Sequence, residues 1–159
     1  MEELMNGMET ETVEEIKYIV VKLGDEQYGI NISYVDNIVR MQRITRVPKA
    51  QNCYVGVINL RGEVVPIMSL RRKFGLSDDE YQSTTRIIII RSEEDQSMIG
   101  FIVDEVQEVI NLDPNRIEKP TFKLDEEKAS FLVGIGKKED DSLVSLLDII
   151  AVVENKKEA

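Results

Sequence analysis

From Ile16 onward the chain is cut into short apolar runs by frequent turn signals. That punctuation limits the folds open to it more than any other feature, because strands need only a few residues and helices need many. Ile16 to Leu23 (IKYIVVKL) is β-branched and partly alternating, Gly24-Asp25 is a turn signal, and Gln27 to Ile32 (QYGINI) alternates again, so the segment reads as a hairpin. Ser33 is placed to cap a single helical turn through Asp36. Asn37 to Met41 reads as a further strand, and Arg46-Val-Pro48-Lys breaks the pattern. The sharpest local signal is Tyr54 to Leu70, in which two apolar runs flank Arg61-Gly62. Gly62 takes positive φ without steric cost, which predicts a tight reversal there. Pro66 cannot donate to a ladder, so its strand is an edge or bends at that point. Ser69 to Phe74 reads as a short helix ended by Gly75.

A polar connection, Leu76 to Thr84, leads to a second series of runs: Arg86–Arg91, Ser97–Val103, Glu105–Leu112, Phe131–Gly136 and Leu143–Leu147. Ile149 to Val153 reads as a closing helix. About ten short strands with few helical stretches predict an all-β sandwich or barrel architecture. Two clusters of strands divided near residues 75–85 suit two small β-barrels packed side by side, with the C-terminal segment free to return to the first. No strong internal sequence repeat is visible.

Composition narrows the function. The chain has 159 residues, with 42% apolar and 31% charged residues, in the range of globular domains that bury a core without staples. No run approaches the length of a membrane span. Residues 1–15 carry six glutamates and no positive charge, which predicts a flexible acidic tail; 154–159 reads as a second tail, and 16–153 as the folded part. The acidic start is not a signal peptide, so a cytoplasmic location is expected. With no histidine there is no Ser-His-Asp or Cys-His arrangement and no imidazole metal ligand. The single Cys53 makes no internal disulfide and reads as a structural thiol. A net charge of −10 argues against nucleic acid and against direct binding to anionic membranes.

Few residues invite a chemical role. Arg61, at the tip of a hairpin, either meets a partner or forms an ion pair with a neighbour such as Glu63 or Asp36. The carboxylates Asp78-Asp79-Glu80, Asp104-Glu105, Asp113 and Asp140-Asp141 lack metal-binding spacing and read as solvated turn residues. Gly134-Ile-Gly136 lacks the third glycine of a dinucleotide fingerprint and reads as close strand packing. Arg71-Arg72-Lys73 reads as a solvated basic face or else as a contact for an acidic partner. Met41, Ile44 and Val47 interrupt a polar segment, and are either core residues or an exposed patch of the kind that meets a partner.

Four motifs together carry a family resemblance. Leu23-Gly-Asp-Glu-Gln-Tyr-Gly-Ile, Tyr34-Val-Asp-Asn-Ile-Val, Val57-Ile-Asn-Leu-Arg-Gly-Glu-Val-Val-Pro-Ile and Ile99-Gly-Phe-Ile-Val-Asp-Glu-Val resemble, in order over roughly 16–153, the CheW family of bacterial chemotaxis coupling proteins. The resemblance implies two five-stranded SH3-like barrels, no cofactor, no resident metal and no catalytic residue. It implies a scaffold joining the regulatory domain of the histidine kinase CheA to the cytoplasmic tips of methyl-accepting chemoreceptors, and recruitment to their membrane-associated arrays. With neither a kinase nor a receiver in the sequence, the stand-alone coupler is the expected form.

A helical receptor tip would lie in a groove between the barrels. Val35 and Ile38 are expected on one wall, Val103 and Val106 on the other, with Asn37 close by and Arg61 at the rim. Many relatives carry an acid at the position of Asn37, so Arg61 is expected to be freer here. The kinase is expected near Met41, Ile44 and Val47. Two rival readings are a single-stranded nucleic-acid binder on an OB-like barrel and a carboxylate metalloenzyme using Asp104 or Asp113. The acidic balance and the 6% aromatic content oppose the first, and the carboxylate spacing does not support the second.

Overall fold

The computed structural model describes residues 14–119 and 126–154. Nearly all of the expected acidic tail and of the C-terminal tail lie outside the described residues. Ten strands follow in order: β1 (Ile16–Leu23), β2 (Glu26–Asn31), β3 (Val35–Arg40), β4 (Tyr54–Leu60), β5 (Glu63–Ser69), β6 (Arg86–Arg91), β7 (Met98–Val103), β8 (Glu105–Leu112), β9 (Leu132–Lys137) and β10 (Leu143–Leu147). The helices are short: α1 (Leu70–Lys73), α2 (Glu126–Ala129) and α3 (Ile149–Glu154). The strands form two five-stranded sheets, the first in the order β8-β1-β2-β10-β9 and the second in the order β3-β6-β7-β5-β4.

The boundary expected at residues 75–85 falls inside a sheet. β5 and β6 both belong to the second sheet, whereas β1 and β2 are completed by β8, β9 and β10. Strand counting along the chain cannot reveal this, because pairing follows topology rather than sequence order. One local cap also differs. The turn before β3 is a 3-10 turn over Ile32–Tyr34 capped by Asn31, whose side chain accepts from Ser33 N–H at 2.9 Å. Ser33 is the residue held and not the cap.

The two sheets are the same structure in permuted order, with β3, β4, β5, β6 and β7 matching β8, β9, β10, β1 and β2. Gly56 pairs with Ile67 and, after a bulge, Tyr54 with Met68; Gly134 pairs with Leu146 and, after a bulge, Leu132 with Leu147. Asn37 faces Ile89 and Val35 faces Ile90 across a bulge that skips Asp36; Glu108 faces Val20 and Val106 faces Val21 across a bulge that skips Gln107. The parallel pair Ile67–Gly100 matches Leu146–Gly29. In each half the chain leaving one edge strand bridges back to the other edge, through Thr45–Val57 and through Glu118–Ile135. In each half a capped helix follows directly on an inner strand, α1 after β5 and α3 after β10. Ser69 Oγ accepts from Arg72 N–H at 3.1 Å, and Asp148 Oδ1 from Ala151 N–H at 3.1 Å.

This arrangement explains the continuous apolar runs. Successive side chains on a strand face opposite ways. On β6, Ile87 and Ile89 fill a core private to the second sheet, while Ile88 and Ile90 fill one shared by both sheets. On β1, Tyr18 and Val20 fill the private core of the first sheet, and Ile19, Val21 and Leu23 the shared one. Each isoleucine so enclosed contributes roughly 1.5–3 kcal/mol relative to an exposed one. The shared core joins the two sheets in one interior.

Candidate functional site

At the hairpin between β4 and β5, Arg61 has φ 53° and Gly62 φ 87°. Both central residues are therefore left-handed, the conformation that matches the strand twist in a two-residue loop. Asn59 Oδ1 accepts from Gly62 N–H at 3.0 Å and fixes the tip. Arg61 is exposed. Among the described residues it forms no ion pair, and Asp36 is held instead by Arg91 at 3.2 Å.

The expected groove residues differ in their exposure. Val103 is fully enclosed in the shared core and presents no surface. Val35 and Val106 are half-buried against that core at equivalent positions of opposite halves. Asn37 is half-buried with its Oδ1 accepting from Ile38 N–H at 2.8 Å, and Ile38 is 37% exposed. An apolar groove of about 190 Å³ lies at a seam between the halves. Tyr34, Ile90, Ile99, Ile149, Ile150 and Val153 form its apolar lining, with Arg91 and Glu93 at its polar margin. Ile150 is 53% exposed. The signal missed in the sequence was the apolar surplus of α3, a segment that reads there only as a closing helix. Ile149-Ile150-Ala151-Val152-Val153 is apolar on every side, more than a helix buried on one face needs.

Met41, Ile44 and Val47 do not form one patch. Met41 and Ile44 are half-buried and pack on the private core of the second sheet, as Leu112 and Ile117 do in the first; only Val47, 45% exposed, faces outward. Cys53 is buried, and its carbonyl accepts from Ser69 N–H at 2.7 Å, in keeping with a structural thiol.

The basic run on α1 is not a solvated face. Arg71 grips Asp104 through two nitrogens, Nε to Oδ1 at 2.9 Å and Nη2 to Oδ2 at 2.5 Å. Arg72 grips Asp78, and Lys73 Nζ lies 5.4 Å from the centre of the Phe131 ring. Two carboxylates read as solvated are likewise partly enclosed. Burial raises the Asp104 carboxyl, but Arg71 and the Gly24 N–H, at 2.8 Å, outweigh it and hold the group below its ordinary range. Asp79 is raised, chiefly by burial; its Oδ2 accepts from Ser69 Oγ at 2.5 Å while Oδ1 has no hydrogen-bond partner among the described residues. Asp113 and Asp140 do cap local turns, accepting from Asn115 N–H and Ser142 N–H. Among the described residues no group of three His, Cys, Asp or Glu side chains could hold a metal ion. No described helix is long and apolar enough to cross a membrane.

A seam groove, an exposed hairpin arginine and carboxylates occupied in local structure suit contact with proteins better than catalysis. The comparisons with known proteins agree. Residues 17–157 match the family model of the CheW-like domain. The chemotaxis protein CheW of Helicobacter pylori is 34% identical over 149 residues, covering 93% of this chain and 88% of that protein. The CheW of Bacillus subtilis is 34% identical over 140 residues, 88% of each. Among solved structures, the scaffolding protein TtCheW from Thermoanaerobacter tengcongensis superposes with a TM-score of 0.79 at 33% identity, covering 88% of each chain. The chain therefore belongs to the CheW family of chemotaxis scaffold proteins, adaptors that carry out no enzymatic reaction.

Proposed function

We propose that the chain couples the histidine kinase CheA to the cytoplasmic tips of chemoreceptors, working in the cytoplasm and drawn to membrane-associated receptor arrays by its partners. The receptor tip, a helical hairpin, docks an apolar helix face in the seam groove beside Ile150, Tyr34 and Val153. The observation that carries this reading is that groove. It is an apolar cleft with a half-exposed isoleucine, in a member of an adaptor family. Amphipathic helices bind such grooves through a few large apolar anchors. Val35, Asn37 and Ile38 follow Tyr34 directly along the chain and extend the receptor surface. Arg61 supplies a charged contact, and Val106 supports its own half from within. Val103 has no surface and is left out of the contact set.

The kinase meets the second sheet at the segment after β3. Val47 is the exposed contact there, and Met41 and Ile44 hold the segment on the core beneath. Two separate faces let one partner bind while the other stays bound.

Titration of a receptor hairpin fragment and of the CheA regulatory domain against Ile150→Asp tests the proposal. Receptor affinity should fall roughly tenfold or more, the scale expected on losing a central apolar anchor. Kinase affinity and melting temperature should hold. Unchanged receptor affinity would remove the groove from the reading.

A further inference from the structure

The two halves share strand order, register and bulges, so each residue at the seam between them has a counterpart at the equivalent seam. Arg71, the second residue after the cap Ser69, corresponds to Ile150, the second after the cap Asp148. Asp104, four residues beyond Gly100, corresponds to Ser33, four beyond Gly29. Lys22 corresponds to Arg91, and Glu105 to Tyr34. The polar cleft lined by Lys22, Gly24, Arg71, Asp104 and Glu105 is thus the counterpart of the apolar groove lined by Arg91, Ile150 and Tyr34.

The two seams are finished differently. At the polar one, Asp104 joins pieces of both sheets. Its carboxylate takes the bidentate grip of Arg71 on α1 and the N–H of Gly24 in the β1–β2 turn, and its own N–H donates to Lys22 carbonyl at 3.0 Å. The remaining Arg71 nitrogen, Nη1, donates to the Ser77 carbonyl at 3.0 Å. The two charged side chains are only 15% and 27% exposed. A planar bidentate pair of this kind fixes direction as well as distance. At the apolar seam, Ile150 and Ser33 hold the corresponding places and cannot make such a pair.

We infer that the Arg71–Asp104 pair is a clasp that sets the angle between the two sheets and so fixes the width of the apolar groove at the other seam. Arg71 and Asp104 are positioning residues that act on docking without touching the docked partner. The partner arm of this inference rests on the receptor-docking reading above; the geometric arm does not.

The test uses the full chain in a Cys53→Ala background, with spin labels at the exposed, equivalent positions Val64 and Leu143, one on each sheet. Distance distributions are measured without partner. Affinity for a receptor hairpin fragment is measured in parallel, for the parent, Arg71→Gln and Asp104→Asn. Arg72→Gln, which breaks a pair lying on the second half alone, is the control. Arg71→Gln should broaden the distribution with an unchanged far-ultraviolet spectrum. It should also weaken binding about three- to tenfold, as the competent arrangement falls to a third or a tenth of the population. Asp104→Asn keeps an acceptor for the Gly24 N–H and should show the same two changes more mildly. It supplies both readings if Arg71→Gln fails to fold. Weakened binding with an unaltered distribution would mean that Arg71 meets the partner directly, and would overturn the inference. A broadened distribution with unchanged affinity would overturn it as well. If the parent itself does not bind the fragment, the docking reading fails, and the clasp stands or falls on the distances alone.

Discussion

The second sheet and the first sheet solve one backbone problem with two different sets of side chains. Both place a glycine where a bridging segment crosses. A side chain at Gly56 would put its first carbon 2.2 Å from the Thr45 carbonyl oxygen, and one at Gly134 2.8 Å from that of Glu118. Both place a second glycine under a neighbouring strand: Gly100 beneath Ile67, Gly29 beneath Leu146. Where backbone approaches backbone, the residue type is kept. Where side chains face a private core, composition drifts. The second half uses Ile58, Leu60, Val65, Ile67, Ile87, Ile89 and Ile102; the first uses Tyr18, Val20, Leu112, Val144 and Leu146. At the seams the two diverge most, Arg71 and Asp104 forming an ion pair where Ile150 and Ser33 stand beside an apolar groove. Steric constraints on the backbone therefore preserve the fold, and positions free of them acquire separate tasks.

The comparison breaks most visibly in the shared core. Phe101 is fully enclosed there, and Leu146 in the private core of the first sheet. Phe101→Ala should cost about 3–5 kcal/mol and Leu146→Ala about 2–5 kcal/mol. Because both sheets bury surface in one interior, each variant should melt in a single transition by far-ultraviolet and tyrosine signals alike. Two separated transitions in Leu146→Ala would show that the halves stand independently.

The glycines sharpen it next. Gly56→Ala meets the Thr45 carbonyl oxygen, which accepts from Val57 N–H at 2.8 Å while Thr45 N–H donates back to the Val57 carbonyl at 2.9 Å, so the bridge must part. At Gly134 the nearest atom is Ile117 Cγ2 at 2.5 Å, the end of a side chain that can turn aside, although the Glu118 oxygen at 2.8 Å still resists. In urea titrations Gly56→Ala should lose about 3 kcal/mol and Gly134→Ala about 1–2 kcal/mol. Equal losses would mean that the two bridges are equally yielding.

Much of this was legible in the sequence, and the limits have physical causes. The strands β1, β6, β7 and β8, the Arg61-Gly62 turn and the helix closed by Gly75 follow from side-chain periodicity and from backbone freedom at glycine. The internal repeat escaped because it is permuted: the strands that open one half close the other. Its readable traces include Val55-Gly56-Val57 against Val133-Gly134-Ile135, Ile99-Gly100-Phe101 against Tyr28-Gly29-Ile30, and Met68-Ser69-Leu70 against Leu147-Asp148-Ile149. The clasp escaped for another reason. Arg71 and Asp104 lie far apart in sequence, and each sits in a charged stretch that reads as solvated. The groove was assigned to Val103 because a strand's alternation does not tell which of two buried faces lies inside.

The segment after β3 offers a smaller contrast. Ile44 packs on the second private core as Ile117 does on the first, while Val47 stands out in solvent. Ile44→Asp should cost on the order of 2 kcal/mol, because the charge is drawn from water into an apolar setting. Val47→Asp should shift stability by less than about 0.5 kcal/mol while weakening CheA binding. Thermal melts and a kinase titration on both variants separate support from contact. If Ile44→Asp keeps its melting temperature, the residue is not the anchor its packing implies.

The smallest effect concerns the two helix caps, which differ in a way that depends on pH. Asp148 caps α3 directly. At α1 the cap is the neutral Ser69, with Asp79 behind it, one oxygen on the Ser69 hydroxyl and the other without a partner among the described residues. Burial disfavours the charged form of Asp79 and, with the negative Asp78 and Asp104, outweighs the Ser69 hydrogen bond and the Arg71 charge that favour it, so the carboxyl is raised above the ordinary value. A carboxyl raised on folding is bound to its proton more tightly in the folded chain. It therefore costs nothing below the unfolded value, near pH 4, and costs progressively more as pH rises through the folded one. Asp79→Asn removes the charge and keeps an oxygen to accept from Ser69. It should raise the melting temperature at pH 7, and the gain should shrink toward zero as both proteins are brought to about pH 4 and below, where wild-type Asp79 is protonated. A gain that persists unchanged in acid would assign the effect to packing, and a loss at pH 7 would mean that the ionised carboxylate supports the Ser69 cap more than burial penalises it.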